Sequence, residues 1–197
     1  MGRYIGAKRK IAKKFKDSVF CSDFNIKKSD KSTRKSNKKK TEYAKLLFSK
    51  EKIIYLYNIR EEQLTNYVKF AAGREGNSEN VLASVLESRL DNVVYRLGMG
   101  KSRGMCRQLV SHGYILVNNK TVNIAAYRVK VDDVISFNEK KLNTKNDIGK
   151  HLNESLNLYK WLEWDIQTKT GTILSVPSRE DIPEFINIKD VLEIYAR

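Results

Sequence analysis

The residues best suited to chemistry in this sequence are basic and polar side chains on and beside one short predicted helix. Arg103 and Arg107 are four positions apart, so they share a helix face, and Gln108 and His112 follow closely. Ser102 can cap the start of this helix, where unpaired N–H groups attract anions. Arginine side chains neutralise phosphates, so the pattern favours phosphate-backbone binding. A solvated helix face is the alternative that this pattern leaves open.

Possible catalytic groups do not combine into a catalytic set. Asp132 and Asp133 are adjacent in a predicted turn, where their side chains diverge, and we expect both to be solvated. Cys106 lies among apolar positions, as a small buried core residue would. His112 has no nucleophile near it in sequence, which favours a capping role or a phosphate contact. We therefore predict no catalytic residue and no enzymatic activity.

Cysteine and histidine are too sparse for a metal site. Cys21 and Cys106 are far apart, and His112 and His151 do not complete a zinc-ligand spacing. We predict no metal, no cofactor and no disulfide framework, which favours a reducing compartment. The sequence also lacks the roughly 18 consecutive apolar residues of a membrane span and the apolar core of a signal peptide.

The positive charge is concentrated in the first third of the chain. The 197 residues include 38 Lys and Arg against 23 Asp and Glu, a net charge of +15. Residues 1–60 have 19 basic and 5 acidic side chains, a net +14, while residues 151–197 are slightly acidic. We expect a basic arm, extended or disordered in isolation, that orders on a polyanion. A solubilising tail is the alternative.

Hydrophobic periodicity predicts an α+β fold with helices first and strands later. Apolar residues recur at helical spacings as far as Gly113, after which the period becomes that of strands. The predicted elements are two helices between Lys45 and Gly73, a helix from Val81 to Leu97 ended by Gly98, a helix from Ser102 to Gly113, strands at 115–117, 121–123, 129–131 and 134–137 with a turn at Asn118-Asn119-Lys120, a second hairpin of 161–166 and 171–176, and a helix from Ile188 to Tyr195 capped by Asn187.

One ordered run of residues resembles a known family. Arg89-Leu90-Asp91-Asn92-Val93-Val94-Tyr95-Arg96-Leu97-Gly98, followed by Ser102-Arg103, Arg107-Gln108-Leu109-Val110-Ser111-His112-Gly113 and Ile115-Leu116-Val117-Asn118, is similar to the RNA-binding module of the small-subunit ribosomal protein S4 family, bacterial or organellar type. Arg3-Tyr4-Ile5-Gly6, Gly76-Asn77, Trp161-Leu162 and Glu193-Ile194-Tyr195 extend the resemblance over most of the chain.

The resemblance implies a three-part organisation. Residues 1–42 would form the basic extended N-terminal arm. Residues 43–87 would form a helical domain that the C-terminal helix, 187–197, completes. Residues 88–186 would form the RNA-binding domain, in which a two-helix motif packs on a mostly antiparallel sheet.

The resemblance also implies a function and partners. Such proteins bind the 5′ domain of small-subunit (16S) rRNA early in assembly and act with protein five on translational accuracy. Protein three and the mRNA entry region are further implied neighbours, and no membrane is involved. The implied location is the ribosome, in the cytoplasm or in the matrix or stroma of an organelle. The mechanism would be binding through phosphate neutralisation and RNA shape.

The sequence departs from the family pattern at its cysteines and at two turn positions. Many relatives hold the N-terminal region with several cysteines, whereas only Cys21 is present here, so we predict no zinc. Asn119 and Asp132 stand where relatives usually have glycine, and both residue types tolerate turn conformations.

The implied RNA-binding residues combine the family positions with the basic pattern. The predicted RNA-binding residues are Arg3, Tyr4, Lys8, Lys10, Lys13, Lys14, Asn77, Arg89, Lys101, Ser102, Arg103, Arg107, Gln108, His112 and Asn118.

Two rival functions share the same module. RNA-modifying enzymes such as pseudouridine synthases have it, and Arg89-Leu90-Asp91 is similar to their catalytic motif. Those enzymes place a large catalytic domain after the module, and Asp91 here belongs to a helix of the module itself. Stress-related ribosome-binding proteins lack the helical segment and the C-terminal hairpin. We therefore favour the ribosomal function.

Overall fold

A computed structural model describes residues 11, 14–15, 41–142, 159–165, 167–182 and 186–196. The chain divides into two compact units, Met1–Lys69 with Phe185–Arg197, and Phe70–Glu184. The described elements, in chain order, are α1 Glu42–Tyr57, α2 Glu61–Ala72, α3 Ser78–Glu87, α4 Leu90–Arg96, α5 Arg103–Ser111, β1 Ile115–Val117, β2 Lys120–Thr121, β3 Val134–Phe137, α6 Glu139–Leu142, β4 Leu162–Asp165, β5 Thr170–Ile173, a 3-10 helix Arg179–Asp181 and α7 Ile188–Ala196.

The first unit is built on the packing of α1 against α7. Thr41 caps α1 by accepting from the Ala44 N–H, and Asn58 ends it in the left-handed conformation. Ser49 Oγ donates to Asp190 Oδ2 at 2.7 Å, which ties α1 to the first turn of α7. The buried apolar residues of α1 and α7 include Leu46, Ile53, Leu56, Ile188 and Val191, and Leu64 of α2 is buried as well.

The second unit combines short helices with a five-stranded sheet. The strand order is β2-β1-β3-β5-β4 and every pairing is antiparallel. Helix α4 packs against α5, and their apolar faces share one core with the sheet. The fold is therefore α+β, as predicted. The most deeply buried residues of this core include Leu90, Val93, Val94, Cys106, Val110, Ile115, Ile135 and Trp161.

The prediction of a single helix from Val81 to Leu97 is wrong, because the helix is interrupted between α3 and α4. Arg89 is extended, with φ −68° and ψ 135°, and forms an antiparallel bridge with Arg128. The Leu90 N–H donates to the Tyr127 carbonyl at 2.8 Å, and the Val129 N–H donates to the Ser88 carbonyl at 3.0 Å. These long-range bonds replace helical ones, although the apolar spacing continues through the break.

The strands at 115–117 and 134–137 have the predicted bounds, and the other strands differ from the prediction. The second strand is limited to Lys120–Thr121. Residues 129–131 form no strand, because the neighbouring Arg128 forms an isolated bridge with Arg89 and does not pair with a strand of the sheet. The C-terminal hairpin is confirmed as β4 and β5, with Lys169 in the left-handed conformation at its turn.

The cap predictions are confirmed, and the predicted turn at Asn118-Asn119-Lys120 is shorter by Lys120, which pairs with Val117 in β2. Asn118 and Asn119 both have positive φ, 49° and 62°, as a two-residue hairpin turn requires. Gly98 and Gly113 end α4 and α5 with φ of 67° and 70°. Asn187 Oδ1 accepts from the Lys189 N–H at 3.2 Å at the start of α7.

Gly171 in β5 permits close packing between the sheet and α4. A Cβ atom on Gly171 would lie 2.4 Å from Leu97 Cδ1, and Leu97 is buried. We expect Gly171→Ala to lower the free energy of unfolding by about 1–3 kcal/mol, measured by urea titration, because the core is overpacked. In a Leu97→Ala background the same change should cost much less, since the clashing methyl groups are gone. Equal costs in both backgrounds would show that this contact is not the cause.

Candidate nucleic-acid interface

Helix α5 has one face in the core and one face towards solvent. Ser102 Oγ accepts from the Met105 N–H at 3.3 Å, so Ser102 is the predicted N-cap. Cys106, Leu109 and Val110 point into the core. We call the opposite side the α5 surface, and its members are exposed Lys101, Gln108 and His112 with half-buried Arg103 and Arg107.

The two arginines of the α5 surface are anchored on α4. Arg103 Nε donates to Asn92 Oδ1 at 2.8 Å, and its guanidinium carbon lies 4.4 Å from the centre of the Tyr95 ring. Arg107 Nη1 lies 3.8 Å from Asp91 Oδ2, and the Arg107 side chain is 20% exposed. The direction of Arg103 is therefore fixed by a hydrogen bond and a ring, and Arg107 lies within ion-pair distance of Asp91, which sequence spacing could not show.

His112 extends the α5 surface beyond the end of the helix. Its ring stacks with Tyr114, with centroids 6.5 Å apart and planes 19° from parallel. The His112 carbonyl accepts from Lys141 Nζ at 2.8 Å, which brings an exposed lysine of α6 to the same place. Lys141 was missed in the sequence because it lies 29 positions after His112, with the first three strands between them.

Arg89 does not face solvent, so its prediction as an RNA contact is wrong. The side chain is fully buried, with 0% exposed surface. Its Nε donates to Asp91 Oδ1 at 3.0 Å and its Nη2 to Asp91 Oδ2 at 2.6 Å. The extended backbone at the break between α3 and α4 directs Arg89 inward, where Asp91 balances its charge.

A second buried ion pair lies beside the first. Arg96 donates through Nη2 to Glu87 Oε1 at 2.8 Å and through Nε to Glu87 Oε2 at 3.0 Å. The Arg96 guanidinium also lies 4.3 Å from the Tyr159 ring centre. Sequence reasoning missed this pair, because its partners are nine positions apart and lie on different helices.

Asp133 is buried, so the expectation of a solvated turn residue is wrong. It is 8% exposed, and its carboxylate accepts from Asn118 Nδ2 and the Lys130 N–H, both at 2.8 Å. Asn118 Oδ1 in turn accepts from the Val134 N–H at 2.8 Å. The Asn118 amide thus holds the β1–β2 turn against β3, while the residue itself stays exposed, and its contact with RNA stays a prediction. Asp132 takes a positive φ of 67°, the turn conformation expected of it.

The remaining predicted contacts lie elsewhere. Asn77 caps α3, since its Oδ1 accepts from the Glu79 N–H at 2.9 Å. Lys14 is half-exposed in the first unit and pairs with Glu51. Arg3, Tyr4, Lys8, Lys10 and Lys13 lie outside the described residues.

Cys106 is the buried core residue that the sequence predicted. Burial raises the pKa of its thiol from 9.0 to about 12, and no part of the side chain is exposed. At pH 8 we expect a thiol reagent to label Cys106 slowly in the folded protein and rapidly in denaturant, measured in a Cys21→Ser variant so that one thiol reports. Because the folded pKa is raised, the stability that the neutral thiol contributes should be lost as pH rises from about 9 towards 12. Rapid labelling of the folded protein would contradict this burial.

Within the described part of the chain, no helix is long and apolar enough to cross a membrane. Over the same residues, no group of three or more His, Cys, Asp or Glu side chains is placed to hold a metal ion.

A short helix pair with a polar, basic outer face, packed on an antiparallel sheet, defines an RNA-binding module of the S4-domain class. Residues 88–135 match the S4 domain, and residues 3–87 match the ribosomal protein S4/S9 N-terminal domain. The chain belongs to the ribosomal protein S4 family.

Relatives named small ribosomal subunit protein uS4 match over the whole of both chains. The one from Amoebophilus asiaticus is 41% identical, and those from Christiangramia forsetii and Azobacteroides pseudotrichonymphae are each 39% identical. The family is one of ribosomal proteins and not of enzymes, so membership confirms the prediction that this chain is not an enzyme.

Proposed function

We propose that this protein is a structural constituent of the small ribosomal subunit that binds the 5′ domain of 16S rRNA and nucleates assembly there. The observation that carries the proposal is the α5 surface, where Arg103 is hydrogen-bonded to α4 and Arg107 is ion-paired with it, beside exposed Lys101 and His112. Phosphates and folded RNA junctions are the ligands that such a rigid polar and basic surface fits.

The binding mechanism combines two parts of the chain. The α5 surface recognises the shape of the folded RNA, because its arginines are positioned before the RNA binds. The lysine-rich residues 8–16 and 27–40 supply charge that releases counterions from RNA. In our proposal 1–42 is the arm, 43–87 with 187–197 is the helical domain, and 88–186 binds RNA.

The finer partners rest on the family resemblance. We propose that ribosomal proteins five and three are neighbours in the subunit, that the contact with protein five influences accuracy, and that the mRNA entry region is close. The ribosome of a bacterial cytoplasm, or of an organelle, is the proposed location. Subunits reconstituted with and without protein five, followed by cross-linking, would test the first of these contacts.

The deciding experiment compares transcripts of the separate domains of small-subunit rRNA. We expect the full chain to bind the 5′ domain more tightly than the other domains or an unrelated RNA of equal length, at about 50 mM and about 200 mM salt. Equal affinity for all these RNAs at both salt concentrations would leave only a general polyanion binder and would overturn the proposal.

Lys101 provides a local test of the α5 surface. We expect Lys101→Gln to flatten the slope of log affinity against log salt by about 0.7–0.9, as loss of one phosphate contact predicts. The matched control is Lys169→Asn, which also removes one exposed positive charge and suits the positive φ of 53° at that turn. The same flattening in both variants would mean that charge alone, and not the α5 surface, determines binding.

A further inference from the structure

The Asn92 side chain lies between a buried carboxylate and an arginine of the α5 surface. Asn92 is 1% exposed. Its Nδ2 donates to Glu87 Oε2 at 2.7 Å and to the Glu87 carbonyl at 3.0 Å. Its Oδ1 accepts from Arg103 Nε at 2.8 Å. The amide therefore connects the end of α3 to the start of α5.

The surroundings of Asn92 determine which way its amide points. Both Glu87 partners are oxygens that act as acceptors, since both carboxylate oxygens also accept from Arg96. They take both hydrogens of Nδ2, so the oxygen end of the amide must face Arg103. Rotating the amide would place Oδ1 against the Glu87 carboxylate and Nδ2 against a guanidinium, which breaks every one of these bonds.

Arg103 is held at two points. The hydrogen bond from Nε fixes one edge of the guanidinium, and the Tyr95 ring, 4.4 Å away, covers one of its faces. Nη1 and Nη2 lie at the end of the side chain, beyond the Nε atom that makes this hydrogen bond. Holding a long side chain in place before binding reduces the conformational entropy that is lost when RNA binds.

We propose that Asn92 is a positioning residue for RNA binding, which transmits the fixed geometry of the buried Glu87–Arg96 pair to the guanidinium of Arg103. This inference rests on the proposed function, since it assigns Arg103 as an RNA contact. It gives the asparagine within the run Arg89 to Gly98 a role in recognition, although that residue is almost completely buried.

The test is a double-mutant cycle of Asn92→Ala and Arg103→Ala on the full chain. Affinity for a transcript of the 16S 5′ domain is measured by filter binding, at a temperature well below the unfolding midpoint of every variant. We expect Asn92→Ala to weaken binding about fivefold in the wild-type background and less than twofold when Arg103 is already alanine, the coupling typical of contacting residues. The same loss in both backgrounds would show that Asn92 only stabilises the module, and would overturn the proposal.

Val93→Ala is the matched control for stability. Val93 is fully buried on the same helix, so its truncation destabilises the module through a cavity. At the same temperature we expect no coupling between Val93→Ala and Arg103→Ala. A second variant, Asn92→Ser, keeps a hydroxyl that can donate to Glu87 but is too short to accept from Arg103 as well. We expect it to show the same coupling to Arg103 as Asn92→Ala, with less perturbation of the core.

The outcomes separate the inference from the proposed function. If the wild-type chain does not prefer the 5′ domain, the proposed function fails and the positioning role fails with it. If the preference is present but Arg103→Ala leaves affinity unchanged, or Asn92→Ala and Asn92→Ser show no coupling to Arg103, then only the positioning role is overturned.

Discussion

Replacing Asp91 with alanine is expected to lower the free energy of unfolding by about 3–5 kcal/mol, because it leaves a buried guanidinium without its counter-charge. Arg89 is fully buried and donates two hydrogen bonds to the Asp91 carboxylate. Arg107 also loses a carboxylate 3.8 Å away. Urea unfolding followed by circular dichroism measures the loss.

The control for this prediction removes both charges together. Arg89→Met combined with Asp91→Leu should cost far less than Asp91→Ala alone, since no buried ion remains unpaired. A double variant as unstable as the single one would indicate that packing around α4, and not the charge, determines the loss. Asp91→Asn gives a further comparison, because it keeps the shape and removes only the charge.

Neutralising six lysines of the N-terminal segment is expected to make RNA binding far less sensitive to salt. A protein with six to ten phosphate contacts loses about 10³–10⁵ in affinity between about 50 mM and 200 mM salt, and each lost contact removes about 0.7–0.9 from the slope. If all six contact phosphates, the slope should become shallower by about 4–5. The six residues to change to glutamine are Lys27, Lys28, Lys31, Lys35, Lys38 and Lys39.

The matched control changes the same six positions to arginine. Because arginine keeps the charge, the salt slope should stay close to that of the wild-type chain. An unchanged slope after the glutamine substitutions would contradict a phosphate-neutralising role for this segment. Circular dichroism of both variants checks that residues beyond the arm fold equally well.

Predictions that depend on neighbouring residues were the accurate ones. Asn118 and Asn119 form a turn because asparagine tolerates positive φ, and Ser102 and Asn187 cap helices through bonds to N–H groups a few positions away. Cys106 lies at an inward position of a helix whose period is visible in the sequence. Such features need no information from distant parts of the chain.

Predictions that depend on distant residues failed. The helix break at Arg89 is stabilised by backbone bonds to residues 125–129, which no periodicity in the segment indicates. Asp133 is buried because Asn118 reaches it from the preceding hairpin. In both cases the competing interaction is far away in sequence, and it is stronger than the local preference.

The sequence by itself determined the family, the α+β order of elements and the position of most of the excess charge. It could not distinguish a basic residue that balances a buried carboxylate from one that faces a ligand, because an arginine has the same charge in either place. The tertiary structure decided that Arg89 and Arg96 belong to the core and that Arg103 and Arg107 are anchored at its edge. The physical reason is desolvation, since a buried charge must find its partner within the fold, wherever that partner lies in the chain.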